Sequence, residues 1–134
     1  MKKILTFGVY DMLHIGHILL FKRAKDLGDY LIVAVQDEDC ILKYKPGTKM
    51  IYSTEERLYM VSTIKYVDEV VTYRDVDVDI QNIPFDVLVV GEDQNHSGFQ
   101  RAMAWSLANG KEVVTLSRTA GISSTLLREY SREK

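Results

Sequence analysis

His14 and His17 frame a glycine in His14-Ile15-Gly16-His17, just after the short apolar run that ends at Phe7-Gly8. Spaced i, i+3, two imidazoles share one side of a helix's first turn. There the unspent main-chain N–H groups and the helix dipole favour an anion. Gly16 removes the side chain that would block close approach of a phosphate. On this reading the pair are two donors that hold a phosphate chain and neutralise charge building on it. As a metal pair they lack a third ligand at a telling spacing, His96 and Cys40 being the only soft candidates. As ordinary histidines, one would lie in the core and one in water.

A second cluster, Arg118-Thr119-Ala120-Gly121-Ile122-Ser123-Ser124-Thr125, follows the last β-like run. A cation, a glycine turn and three hydroxyls leading into a helix make another anion site. They equally make a well-capped terminal helix. The third is Lys43-Tyr44-Lys45-Pro46-Gly47-Thr48-Lys49, inside a 37–49 loop that could close over a triphosphate and exclude water, or simply stay solvated. Asp75, Asp77 and Asp79 invite a calcium loop, but Ile80 and Asp86 stand where it requires Gly and Glu. They read as solvated carboxylates. No P-loop or GxGxxG fingerprint occurs, which leaves kinase and dehydrogenase readings unsupported.

The elements that must position these clusters alternate along the chain. Strands are predicted at 3–8, 30–36, 69–73, 86–91 and 112–116. Unbroken runs such as Leu31-Ile32-Val33-Ala34-Val35 suit strands covered on both faces. One helix starts near Ile15 and ends before Gly28, taken as its C′ residue. A second opens on the capping box Ser53-Thr54-Glu55-Glu56, with Leu58, Val61 and Ile64 on one face. A third runs from about Ser97 to Asn109 with Gly110 closing it, and a fourth starts at Ser123 or Ser124. The pattern predicts an α/β fold, a doubly wound parallel sheet of about five strands forming one domain over 1–134. Such sheets bind ligands beyond the carboxyl ends of their strands, at the topological switch point. Residues 7–17, 36–49, 91–96 and 117–125 all fall at strand ends, so one cleft should gather them.

Bulk composition narrows the partners. A chain of 134 residues fits one domain, and its net charge of −2 argues against nucleic acid or an anionic membrane surface. Cys40 stands alone, which excludes an intrachain disulfide and suits a reducing cytoplasm. The longest apolar run, Tyr30 to Val35, is far short of the ~20 residues that span a bilayer. Met1-Lys2-Lys3 and the apolar run after it faintly suggest a leader, but Asp11 and His14 interrupt it and no small-x-small cleavage site follows. A soluble cytoplasmic protein is expected.

Phe7-Gly8-Val9-Tyr10-Asp11, the histidine motif and the Arg118–Thr125 stretch together resemble the cytidylyltransferase family. The chain is most similar to the small bacterial glycerol-3-phosphate branch. Leu27 to Val35 and Lys65 to Val70 match as well, so the likeness spans nearly the whole chain. The resemblance implies a Rossmann-like nucleotidyltransferase fold. It also implies transfer of CMP from CTP to a phosphorylated small alcohol with release of pyrophosphate, in surface-polysaccharide or teichoic-acid-type synthesis. By that likeness His14 and His17 hold the phosphates and stabilise the transition state, and Lys45 contacts the triphosphate. Arg118, Ser123, Ser124 and Thr125 bind the β- and γ-phosphates, with Thr119, Ala120, Gly121 and Ile122 in the same stretch. Phe7, Gly8, Val9, Tyr10, Ile15, Gly16, Gly91 and Asp93 line the nucleotide, while Asp11, Lys43 and Arg57 meet the acceptor. Mg²⁺ would come with CTP, held mainly by phosphate and water, and a homodimer is implied.

The chain departs from the family at several places: Val9 for a threonine, Gln94 near a usual tryptophan, Gln36-Asp37-Glu38-Asp39 for Ser-Thr-Asp-Glu, and Arg74 followed by aspartates where an acceptor lysine stands. These leave the acceptor open among glycerol, ethanolamine and sugar or polyol phosphates. An adenylyltransferase on a sugar phosphate or cofactor precursor, and a non-catalytic nucleotide-binding protein, remain the other readings.

Overall fold

The computed structural model describes residues 1–117. The Arg118–Thr125 cluster and the fourth helix lie outside the described residues. Five strands and their crossovers follow in order: β1 Lys3–Gly8, α1 Ile15–Lys25, β2 Tyr30–Gln36, α2 Glu38–Tyr44, α3 Thr54–Ser62, β3 Glu69–Tyr73, α4 Val76–Asp79 with a 3₁₀ turn Ile80–Asn82, β4 Val87–Gly91, α5 Ser97–Ala108 and β5 Glu112–Leu116. All strand pairs are parallel, in the order β3-β2-β1-β4-β5.

The apolar runs explain the two layers. Side chains alternate across a strand, so Leu31, Val33 and Val35 enter one core while Ile32 and Ala34 enter the other. The first core is closed by Phe21 and Ala24 of α1 and Val61 of α3. The second is closed by Val76 and Ile80 and by Phe99 and Ala102 of α5. Each large aliphatic side chain buried this way contributes about 1.5–3 kcal/mol. A polar residue in either set would destabilise one layer.

The amino ends of the strands share one device. Asp29, Asp68 and Asp86 each precede a strand, and their carboxylates accept from Lys2 N (2.9 Å), Leu31 N (2.7 Å) and Lys3 N (2.8 Å) on the neighbouring strand's start. Asp68 is also paired with Lys25, which together with the Leu31 N–H holds its carboxyl below the ordinary range against the cost of its burial.

The carboxyl ends diverge. The β1–β2 ladder runs to Gly8↔Val35 and the β4–β5 ladder to Gly91↔Leu116, but β1 and β4 part after Thr6↔Val89. This is the switch point, where the first helix of each half leaves to opposite faces. It opens the crevice that the strand order predicts.

Three local readings change. Gly28 is no left-handed cap: α1 ends on Asp26, and only Gly47 and Gly110 among the described glycines have positive φ. Gly28 is instead set by close approach, since a Cβ there would lie 2.7 Å from both Lys2 O and Ile4 Cδ1. Gly110, at φ +75°, does close α5. The 37–49 loop is partly helix, because Asp37 caps α2 through Asp39 N (2.9 Å) and Cys40 and Ile41 are buried. The aspartates after β3 form α4, where Asp79 accepts from Arg74 N and Asp75 N, rather than an open loop.

Candidate active site

Histidine is a poor helix former, so its placement at the start of α1 needs a local cause. Here the histidines cap their own helix. His14 is the N-cap residue, in extended conformation, and its Nδ1 accepts from Gly16 N at 3.0 Å. His17, three positions on, accepts from His14 N at 3.1 Å through its own Nδ1. This is a capping box built from imidazoles instead of the usual Ser and Glu.

The cap decides the chemistry. A ring nitrogen that accepts cannot carry the proton, so the neutral ring must carry it on Nε2. Both histidines therefore present an Nε2–H donor away from the backbone they cap. The rings lie 4.1 Å apart, centroid to centroid, tilted by 35°, close enough for one phosphate group to meet both. Burial first, and the neighbouring His14 second, push His17 down to about 4 against the opposing pull of Asp93. His17 works as a neutral donor near neutral pH.

That depression carries a stability consequence. His17 takes up a proton less readily folded (about 4) than unfolded (6.5). Its contribution is therefore complete above about pH 6.5 and is lost as pH falls towards 4, worth about 2 kcal/mol once its partial exposure is allowed for. Denaturation midpoints between pH 7 and 4 are expected to fall more steeply for the wild type than for His17→Asn. Parallel curves would remove this account of His17.

Tyr10 supports the pair from behind. It holds a left-handed φ of 57°, unusual outside glycine, which turns its ring back beneath Gly8. A Cβ on Gly8 would fall 2.4 Å from Tyr10 Cζ, so glycine is required there. The ring stands edge-on to His17 at 5.4 Å and to Phe21 at 5.3 Å. Burial raises its hydroxyl far above the ordinary value. Tyr10 thus sits against His17, and Phe7, packed on Tyr73 and Phe99, can offer a ligand only main-chain atoms. Val9 is the more exposed of the turn's side chains.

Asp11 and Arg57 hold the rim together. The Asp11 carboxylate accepts from Ile51 N (3.0 Å) and Tyr52 N (2.9 Å). Arg57 is fully buried and forks across three segments. It donates to Val9 O (2.9 Å), Gln36 O (2.7 Å), Tyr52 O (3.3 Å) and Thr54 Oγ1 (3.2 Å). The two residues tie the ends of β1 and β2 to the stretch that carries the lysines. Between these anchors, residues 45–49 are exposed, and among the described residues Thr48 donates to Lys45 O. Lys43 projects from the last turn of α2 and Lys45 is its C-cap.

On the other side of the crevice lie Gly91 and the 92–96 loop. Asp93 is near enough for its charge to act on His17. Gln94 bridges the parted strands, donating to Phe7 O at 2.7 Å and accepting from Gly91 N at 2.9 Å. Sequence reasoning marks it only as a departure, because its partners are main-chain groups that no pattern advertises. His96 caps α5 through Gly98 N (3.1 Å) and packs on Phe99. Among the described residues, no three His, Cys, Asp or Glu side chains gather to hold a metal, and no helix is long and apolar enough to cross a membrane.

Comparison with known proteins agrees with this fold. Residues 5–130 match the family model described as cytidylyltransferase-like. The chain is 41% identical over 133 residues to the glycerol-3-phosphate cytidylyltransferase of Bacillus subtilis, covering 96% of each. It is 30% identical over 128 residues to the FAD synthase of Picrophilus torridus, covering 94% of this chain and 82% of that one. Among solved structures, the lipopolysaccharide core biosynthesis protein of Thermoplasma volcanium superposes with a TM-score of 0.71 at 26% identity, over 89% of this chain and 97% of that one.

Proposed function

Because the chain belongs to the cytidylyltransferase-like family and is a nucleotidyltransferase, we propose that it transfers CMP from CTP to a small phosphorylated alcohol, glycerol 3-phosphate first among them. The observation that carries this reading is the self-capped histidine pair, whose Nδ1 atoms accept from the main chain at a helix start beside the switch point. A phosphate oxygen of the acceptor attacks the α-phosphorus, the α–β anhydride bond breaks and pyrophosphate leaves. Little covalent work falls to the protein, which positions the reactants and offsets charge. His14 and His17 donate to the oxygens on which charge develops. Lys45 meets the triphosphate and Lys43 the acceptor phosphate. Arg57 and Asp11 position the segments around them. Mg²⁺ would travel with the triphosphate on phosphate and water oxygens.

Adenylyl transfer is the second reading, favoured by the FAD synthase relative. Pyrophosphate release with each of four nucleotides, against a panel of phosphorylated alcohols, separates the two. Highest kcat/KM with CTP and glycerol 3-phosphate is expected. An equal or higher value with ATP would replace the proposal by adenylyl transfer.

Arg118→Ala is expected to raise the KM for nucleotide with a smaller change in kcat, because a cation that binds phosphates in ground and transition states alike gives uniform binding. Steady-state kinetics with varied nucleotide checks it; unchanged KM and kcat would place Arg118 outside the site.

The amides of residues 45–49 are expected to exchange rapidly in the free protein and slowly with CTP bound, while α2 amides change little. The exposed stretch has few bonds to lose, whereas α2 is fastened by Cys40 and Ile41. Hydrogen exchange with equal protection in both states would leave no lid.

A further inference from the structure

Gln94 sits where the sheet divides. Beyond Thr6↔Val89 the two central strands have no ladder, and the Gln94 amide spans the gap from Phe7 O to Gly91 N. The side chain replaces the peptide that a continued ladder would have supplied. Both partners are fixed main-chain groups of opposite polarity. Turning the amide over would set N–H against N–H and oxygen against oxygen, so its direction is locked.

These two bonds use one Nε2 hydrogen and one Oε1 lone pair. A primary amide has two of each. Among the described residues a second donor and a second acceptor remain, in fixed order, at the floor of the crevice. On the Gly91 side the amide is flanked by bare glycine backbone, where a Cβ would come 3.1 Å from Asp93 Oδ1 and 3.7 Å from Gln94 Oε1. Asp93, the preceding residue, is near enough for its charge to act on His17. The amide is therefore set to one side of the place where phosphates would lie.

We propose that Gln94 selects the nucleobase. Its locked amide pairs with a ring edge that offers an amino donor beside an unprotonated nitrogen, as cytosine does, and rejects uracil, whose edge offers a carbonyl beside an N–H. A freely rotating glutamine would flip to suit either base; this one cannot. The wrong base sets donor against donor and leaves buried polar groups unpaired, and that is the source of large discrimination factors. The inference deepens the nucleotidyl-transfer reading and rests on it for placing the nucleotide in this crevice.

The test is calorimetric binding of CTP and UTP to the full chain, with pyrophosphate release measured in parallel. The variants are Gln94→Met, which keeps the volume, and Gln94→Glu, which keeps an acceptor for Gly91 N but loses the donor. The wild type should bind CTP at least ~10²-fold more tightly than UTP, and each folded variant should narrow that ratio ~10-fold or more. Melting curves identify which variants fold, and either one suffices. Equal weakening of both nucleotides, leaving the ratio unchanged, would make Gln94 a structural strap and overturn the proposal. A wild type that binds CTP and UTP alike would overturn it too. CTP-selective binding without pyrophosphate release would instead sink the catalytic reading and leave the selecting role of Gln94 standing.

Discussion

Alanine at either His14 or His17 is expected to lower kcat at least ~10²-fold, the cost of removing one preorganised donor aimed at developing charge. Each ring also caps α1, and losing a cap costs about 0.5–2 kcal/mol of stability. Alanine therefore mixes two effects. His14→Asn separates them, because an asparagine carbonyl can still accept from Gly16 N while offering nothing in place of the Nε2–H. It should melt close to the wild type and still show the loss in kcat. Near-wild-type turnover in the folded Asn or Ala variants would remove the histidines from the chemistry.

Arg57→Ala should be the most destabilising single change at the rim, about 3 kcal/mol or more. The guanidinium is fully enclosed and serves four acceptors. Its loss leaves carbonyls just after β1, in β2 and in the stretch before α3 without their donor, at ~1–3 kcal/mol for each buried group that water does not reach. Burial lowers the guanidinium's pKa, while Asp11 first, then Glu38 and Asp37, oppose that shift. Lysine should not rescue the fold, having no planar fork to span three segments. Denaturant midpoints decide it, and a loss under ~1 kcal/mol would mean the stranded carbonyls find water instead.

Much of the sheet is legible in the chain because burial on two faces leaves unbroken apolar runs, and Leu31 to Val35 can be little else. The Ser53–Glu56 box and Gly110 are equally direct, since each satisfies a requirement local to a few residues. α2 is not legible: Cys40 and Ile41 are only two buried positions in a charged stretch, too few to set a period. Gly28 misleads because a glycine near a helix end has two possible causes, and the nearby β1 backbone supplies the second. Arg57 reads from sequence as a contact for the acceptor, and only the fold reveals that it donates to the distant carbonyls of Val9 and Gln36. The aspartates before β2, β3 and β4 do leave a signal, a carboxylate one step ahead of each strand, which pattern reading by apolar period passes over.

The place of β1 at the middle of the sheet bears on how the chain is made. Its first neighbour, β2, follows after one helix, but its second, β4, comes much later, and the Gln94–Phe7 bridge joins residues 87 positions apart. A nascent chain released only as far as β3 can close the β1-β2-β3 half while one edge of β1 stays bare. An apolar strand with unpaired N–H and C=O groups on one side is a template for another chain. Synthesis that stalls between β3 and β4 is thus the moment of greatest exposure to misassembly. The cleft itself comes into being only when β4 docks.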